Sequence, residues 1–216
     1  MINKILDLIY PNVCGFCNKL NKNCLCKKCE INIKKYLNEK VIVFLNDKTK
    51  YYDYYFYILK YEELIRNKII DYKFNEKAYL YKTFAKIILK NEKICGILKK
   101  YDIIIPVPIH KNRKTIRGYN QSELIAKELG KTLNIPVYDK SLIKVKNNRA
   151  QSKLGKNDRK LNVLGAYRLN DDKNIKDKKI ILLDDIFTTG NTVNECSKVL
   201  KKAKAKDIFV LTIAKD

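Results

Sequence analysis

Two adjacent carboxylates stand at the end of a hydrophobic run, and small hydroxyl-bearing residues follow them. The run is 180–183, the carboxylates are Asp184 and Asp185, and the chain continues as "IFTTGNT". A glycine with threonines after a strand favours a tight turn whose backbone N–H groups and hydroxyls bind a phosphate. Carboxylates would repel that phosphate, so they must serve another part of the ligand. A sugar phosphate satisfies both groups, because its ring hydroxyls donate to the acids and Mg2+ can accompany it.

Arginine is scarce but clustered. The chain has 46 basic residues, only six of them arginine, and five of those six lie between Arg113 and Arg168. The guanidinium is a rigid fork that grips phosphate through two hydrogen bonds, which lysine cannot do. The clustering indicates anion recognition in this segment.

Cysteines define a second candidate site. Two Cys-x2-Cys pairs lie near the N-terminus: Cys14 with Cys17, and Cys26 with Cys29. Two such pairs close a tetrahedral four-sulfur site, the usual arrangement for structural Zn2+. Disulfides are the alternative, and Cys24 is an alternative ligand to Cys26. We predict a zinc-ribbon-like module at residues 1–35 that depends on metal for its folding, followed by a larger domain at residues 36–216.

The chain is strongly basic. Lys and Arg number 46 against 23 Asp and Glu, for a formal charge of +23. This charge favours an anionic partner such as nucleic acid, although lysines spread along the whole chain are also typical of a solvated surface. No apolar run approaches the roughly 20 residues that cross a bilayer. The N-terminus lacks the cleavage site of a signal peptide, so we expect a cytoplasmic protein without a membrane span.

Hydrophobic periodicity predicts the elements that position these residues. Residues 61–90 show helical spacing, and strands and helices then alternate to the C-terminus. The last three predicted elements are a strand over 179–183, a helix over 192–202 and a strand over 208–213. Such alternation predicts an α/β fold with a mostly parallel sheet flanked by helices. Ligands of such sheets bind at the carboxyl ends of the strands, which is where Asp184 and Asp185 fall.

Three stretches resemble known families. "IILLDDIFTTGNT" resembles the signature of type I phosphoribosyltransferases, which bind 5-phosphoribosyl-1-diphosphate. "YDIIIPVPIHKNRKTIRGYNQSELIAKEL" and "QSKLGKNDRKLNVLGAYRL" resemble the competence-associated ComF (ComFC/GntX) family, with its P-V-P, R-G-[FY]-N-Q and R-x-x-N-x-x-G-[AS]-[FY] patterns. The paired cysteines also belong to that family. The resemblance covers nearly the whole chain and is weakest over residues 31–60.

The resemblance implies roles for the site residues. Asp184 and Asp185 would hold the ribose hydroxyls and stabilise positive charge at the anomeric carbon. Arg117 would face the diphosphate, and Arg159 would close over the ligand from a polar loop. The 5′-phosphate would bind the turn residues: Thr188, Thr189, Gly190, Asn191 and Thr192.

The resemblance also implies a biological role. ComF proteins are thought to act in natural transformation, in the cytoplasm, on incoming single-stranded DNA together with a DNA-translocating helicase. The basic charge fits single-stranded DNA binding and would fit RNA equally well. An active phosphoribosyltransferase for salvage, or for modification of an unknown acceptor, is the alternative. A ligand-sensing regulator is a third hypothesis, but the sequence shows no helix-turn-helix pattern.

Overall fold

A computed structural model describes residues 13–39, 43–44, 47, 49–147, 163–170 and 175–216. The predicted ligand-closing residue Arg159 lies outside these described residues, as does most of the loop that carries it. The described part contains the acid pair, the threonine turn and the four cysteines of the predicted zinc site.

The described residues form seven α-helices and seven strands. The helices are α1 (Lys27–Ile33), α2 (Glu63–Phe74), α3 (Leu80–Leu89), α4 (Glu92–Leu98), α5 (Lys111–Arg117), α6 (Gln121–Leu133) and α7 (Asn191–Lys202). The strands are β1 (Val43–Phe44), β2 (Tyr54–Lys60), β3 (Ile103–Pro106), β4 (Leu142–Lys144), β5 (Tyr167–Leu169), β6 (Lys179–Phe187) and β7 (Asp207–Lys215). No helix of the described segments is both long and apolar enough to span a bilayer.

The main sheet has five strands in the order β1-β2-β7-β6-β3. Strands β2, β7, β6 and β3 run parallel, and β1 is antiparallel to β2. Strands β4 and β5 form a separate antiparallel pair. The predicted α/β fold with a mostly parallel sheet is therefore confirmed.

Both faces of the main sheet are covered, which explains the nearly continuous aliphatic composition of its central strands. Along β6, Ile181 and Leu183 pack into one core with α2, α3 and α6. Ile180 and Leu182 pack into the other core, which includes α7 and the β4–β5 pair. Successive side chains of a strand point to opposite faces of the sheet, so Asp184 and Asp185, which follow Leu183 in β6, face opposite sides.

Strand β6 is longer than the sequence indicated. It pairs with β7 as far as Phe187, which lies opposite Lys215. Its pairing with β3 ends earlier, where Leu183 lies opposite Pro106. The predicted end at Leu183 therefore matches the end of only one of the two ladders.

Candidate functional site

The acid pair lies at the carboxyl edge of the sheet, where β6 has a neighbour on one side only. The last backbone bond from the β3 side runs from the Val107 N–H to the Leu183 carbonyl, at 2.8 Å. Beyond this bond, Asp184 still lies opposite Thr212 of β7. Both Asp184 and Asp185 are partly buried. The ending of β3 therefore opens the edge at which the two carboxylates stand.

The two carboxylates have different surroundings. The Asp184 carboxylate accepts hydrogen bonds from the Ser122 hydroxyl at 3.4 Å and from the Asp185 backbone N–H at 2.8 Å. Burial, and then the negative charge of Asp185, raise the pKa of Asp184 from 3.8 to about 7. Asp184 thus favours its protonated form at mildly acidic pH.

Asp185 faces the opposite side of β6 and is paired with a lysine. The Lys73 ammonium lies 2.8 Å from the Asp185 carboxylate, and both side chains are largely buried. Lys73 belongs to the last turn of α2 and was absent from the predicted site. No sequence signal pointed to it, because the contact joins segments that only the tertiary fold brings together.

The threonine turn joins β6 to α7. The strand ends at Phe187, residues 188–190 form the turn, and the helix begins at Asn191. Gly190 has a φ of 74°, in the left-handed region, and a Cβ there would lie 2.6 Å from the Phe187 ring. Glycine is therefore required both by the backbone conformation and by the space.

This turn leaves backbone donors available at the start of a helix. The first N–H groups of α7 have no intrahelical acceptor, and the helix dipole favours an anion beside them. Asp184, Ile186 and residues 187–193 line a small pocket at this point. The predicted turn residues and one of the two acids thus share one concavity.

An aromatic stack supports the turn from below. The rings of Phe187 and Tyr55 are stacked with centroids 4.0 Å apart. The Tyr55 and Thr212 hydroxyls lie 3.4 Å apart. Phe187 also occupies the space beside Gly190. These contacts therefore hold the turn in place relative to β2 and β7.

Arg117, at the C-terminus of α5, is close enough to Asp185 for their charges to interact. Its guanidinium donates to the Gln121 side-chain oxygen at 2.6 Å and lies 5.1 Å from the centre of the Phe74 ring. Burial lowers the pKa of Arg117, and the nearby charge of Asp185 opposes that shift. Arg117 is therefore within electrostatic reach of Asp185.

The rest of the R-G-Y-N-Q pattern joins α2 to α6. The Tyr72 hydroxyl donates to the Gln121 carbonyl at 2.9 Å, and the Tyr119 hydroxyl donates to the Tyr72 carbonyl. The Asn120 amide donates to the Val107 carbonyl at 3.0 Å. These bonds hold the end of α2, and hence Lys73, against the carboxyl edge of the sheet.

The four predicted metal ligands converge. The sulfur atoms of Cys14, Cys17, Cys26 and Cys29 all lie within 4.8 Å of one another. Zn–S bonds of about 2.3 Å imply sulfur separations of roughly 3.8 Å around a tetrahedral ion, so the cluster fits Zn2+. The Cys26 N–H donates to the Cys14 sulfur and the Cys29 N–H to the Cys26 sulfur, each at 3.4 Å, as suits thiolates.

Cys24 takes no part in this cluster. Its thiol faces the Lys82 carbonyl at 3.4 Å, and burial raises its pKa. At Cys14, burial alone would raise the thiol pKa, but backbone N–H groups, including those of Cys17 and Cys26, outweigh it and lower the value to about 6. Of the five N-terminal cysteines, the structure thus separates four candidate ligands from Cys24, which is partly buried outside the cluster.

The cysteine module packs directly on α3. The Thr83 hydroxyl donates to the Cys24 carbonyl at 2.9 Å, and the rings of Phe16 and Phe84 meet edge to face at 6.5 Å. A Cβ on Gly15 would lie 2.3 Å from the Thr83 hydroxyl. This close approach means that loss of the module would expose one side of α3.

The fold and the acid–threonine edge define a protein with a phosphoribosyltransferase-like fold. A model of the phosphoribosyl transferase domain matches residues 120–216, which include α6, β6, the turn, α7 and β7. Among solved structures, a purine phosphoribosyltransferase from Pyrococcus horikoshii Ot3 is 17% identical, with a TM-score of 0.38 over 64% of this chain and 75% of that chain. A score this low adds nothing to the class assignment.

Curated relatives narrow the class to a family. The chain is 34% identical over 148 residues to competence protein F of Haemophilus influenzae, covering 67% of this chain and 65% of that protein. It is 25% identical over 213 residues to competence protein ComFC of Bacillus subtilis, covering 96% of this chain and 80% of that protein. The chain belongs to the ComF family, and its four-cysteine cluster fits the N-terminal zinc module of that family.

Proposed function

We propose that this chain acts in DNA uptake during natural transformation, as a cytoplasmic protein that binds a phosphoribosyl diphosphate-type ligand and single-stranded DNA. The observation that carries the proposal is the acid pair beside a glycine–threonine turn at the carboxyl edge of a parallel sheet. The names of the relatives, competence protein F and ComFC, support the biological role.

In the proposed complex, the 5′-phosphate binds the turn and the N-terminus of α7. Backbone N–H groups and the hydroxyls of Thr188, Thr189 and Thr192 donate to its oxygens. The ribose hydroxyls donate to Asp184 and Asp185. Gly190 allows the backbone to approach the phosphate closely.

The diphosphate would lie on the side of the edge that carries the basic residues. The charges of Arg117 and Asp185 interact, and Lys73 forms an ion pair with Asp185. A ligand that engages Asp185 must displace the Lys73 ammonium, which can then bind a diphosphate oxygen. Mg2+ would enter with the diphosphate, and the acid pair supplies the carboxylate oxygens that this ion prefers.

Single-stranded DNA is proposed as the second ligand because of the charge. The chain has 46 basic and 23 acidic residues, and the basic side chains provide many phosphate-binding groups. Neutralising phosphates releases counterions, so the affinity should fall steeply with salt. We propose structural Zn2+ in the cysteine module and a DNA-translocating helicase as the protein partner.

Two titrations test this function. Calorimetry with 5-phosphoribosyl-1-diphosphate and Mg2+ should show one site in the unmodified chain and weaker binding to Asp185→Asn. Anisotropy with a labelled oligothymidylate should show binding that weakens as salt rises. If 5-phosphoribosyl-1-diphosphate does not bind, the ligand is removed from the proposal. If DNA does not bind, or binds equally at all salt concentrations, the role in DNA uptake is removed.

An active phosphoribosyltransferase is the second candidate function. The complete acid–threonine sequence favours it, because two carboxylates beside the anomeric carbon can stabilise oxocarbenium-like charge. This candidate predicts Mg2+-dependent release of diphosphate with some nucleobase or amine. Tight binding of the ligand without release for any acceptor would support the binding role instead.

A further inference from the structure

We infer that single-stranded DNA binds along one surface, the α5 face, formed by the exposed side of α5 together with Phe74 at the end of α2. This inference rests on the proposed function and adds the location and the mode of binding. The face combines phosphate-binding cations with an exposed aromatic ring, which is the combination that single strands require.

The charge of α5 is the first observation. Its seven residues, KNRKTIR, include four basic and no acidic side chains, and none of the seven is buried. The helix contributes nothing to the core and is held at its ends, where His110 caps the Asn112 N–H at 3.3 Å and Gly118 takes a φ of 80°. Glu123 pairs with Lys114 at 2.6 Å and offsets part of the charge. Core packing therefore does not explain why this segment is helical and basic.

The exposed apolar side chains are the second observation. Phe74 is 62% exposed and Ile116 is 87% exposed, although both types are usually buried. The Arg117 guanidinium lies over the Phe74 ring at 5.1 Å. A ring that is exposed and flanked by an arginine is suited to stacking with a nucleobase while the cation meets a phosphate.

The position of the face is the third observation. The charge of Asp185 interacts with that of Arg117. Lys73, the residue before Phe74, forms an ion pair with the Asp185 carboxylate. The α5 face thus adjoins the carboxyl edge of the sheet. Nucleic acid bound there would run past the mouth of the candidate phosphoribosyl site.

A second exposed aromatic provides a matched comparison. Tyr51 is 40% exposed, and the Lys198 ammonium lies 5.7 Å from the centre of its ring. Tyr51 is joined to α7 through the Asn194 side chain, which accepts its backbone N–H at 2.8 Å. It shares exposure and a neighbouring cation with Phe74 but lies outside the α5 face.

The chain has no tryptophan, which permits a direct test of stacking. We expect the emission of Phe74→Trp to be quenched on addition of an oligothymidylate, with affinity retained. Tyr51→Trp should show no quenching. Phe74→Ala should weaken DNA binding about tenfold, and Tyr51→Ala should leave it unchanged.

The contribution of the cations is tested by salt dependence. Lys111→Gln with Lys114→Gln should lower the slope of log affinity against log salt by about 0.7 for each phosphate that the variant no longer neutralises. The matched control is Lys99→Gln with Lys100→Gln, an exposed pair that lies two residues before β3, at the opposite end of the strands. Equal slopes in the two double variants would contradict the proposal.

The outcomes separate this inference from the proposed function. An unmodified chain that fails to bind DNA overturns both. DNA binding that survives in Phe74→Ala and in the Lys111/Lys114 variant overturns only the α5 face, and would assign its exposed apolar residues to a protein partner. Circular dichroism of each variant confirms that the fold is retained.

Discussion

The cysteine cluster and the acid–threonine edge are built in different ways. The cluster takes all four ligands from one short stretch of the chain, and their thiols lie within 4.8 Å of one another. The edge takes Asp185 from β6 but its cation from α2, in Lys73, and the hydrogen bond to Asp184 from Ser122 of α6. A local site depends on its metal, whereas a distributed site depends on the fold that assembles it.

This difference implies different responses to damage. Without metal, the cysteine module has few buried apolar residues of its own, so its stability should collapse. The acid–threonine edge is fixed by the pairing of β6 with β7 and by the stack of Phe187 on Tyr55. Its geometry should survive the loss of a single ligand-binding side chain.

The largest expected effect comes from removing two of the proposed zinc ligands. Cys26→Ser with Cys29→Ser should release about one metal ion per chain and lower the melting temperature by roughly 10 °C, since the uncovered side of α3 becomes exposed. Metal analysis and thermal unfolding measure the two effects. Cys24→Ser is the control and should retain the metal. A double variant with unchanged metal content would refute the ligand assignment.

Next in size is the loss of ligand binding at the edge. Asp185→Asn with Thr189→Val should weaken binding of 5-phosphoribosyl-1-diphosphate by roughly 100-fold or more, because each change removes a hydrogen bond to a charged group. The melting temperature without ligand should change little. Thr132→Val, on exposed α6 surface, is the control for calorimetry. Retained affinity in the double variant would place the ligand elsewhere.

Three glycines separate backbone strain from crowding. Gly190→Ala should destabilise the fold by about 2 kcal/mol or more, because the residue has a positive φ and its Cβ would meet the Phe187 ring. Gly118→Ala has the positive φ but open space, so about 1 kcal/mol is expected. Gly96→Ala, inside α4 with open space, should stabilise by about 0.5 kcal/mol. Urea unfolding of the three variants measures this order, and equal effects at Gly190 and Gly118 would show that the turn is not crowded.

A further expected effect is a dependence of stability on pH through Asp184. Its pKa is raised to about 7 from 3.8, so the folded state retains the proton longer than the unfolded state. Its contribution should therefore lower the free energy of unfolding as pH rises from about 4 to about 7. Urea unfolding across this range should show a flatter dependence for Asp184→Asn. Identical slopes would mean that folding does not raise the pKa of Asp184.

The sequence predicted what depends on short-range pattern. The paired x2 spacing identified the cysteine cluster, and the hydrophobic run before Asp184 identified the strand and its edge. The helix was placed at Thr192 and begins at Asn191, a difference of one residue. These features depend on neighbours along the chain, so the order of residues specifies them.

What the sequence could not predict depends on tertiary contacts. The pairing of β6 beyond Leu183 requires β7 as a partner, and the pairing of Asp185 requires the end of α2. Only the packing of distant elements shows these pairings.

The most direct test of the central claim is a crystal structure with 5-phosphoribosyl-1-diphosphate and Mg2+ bound. We predict the 5′-phosphate within hydrogen-bond distance of the backbone N–H groups of residues 188–192, and the ribose hydroxyls on Asp184 and Asp185. Lys73 should have left Asp185 for the diphosphate. A phosphate held by surface lysines alone, with the Lys73–Asp185 ion pair intact, would contradict the claim.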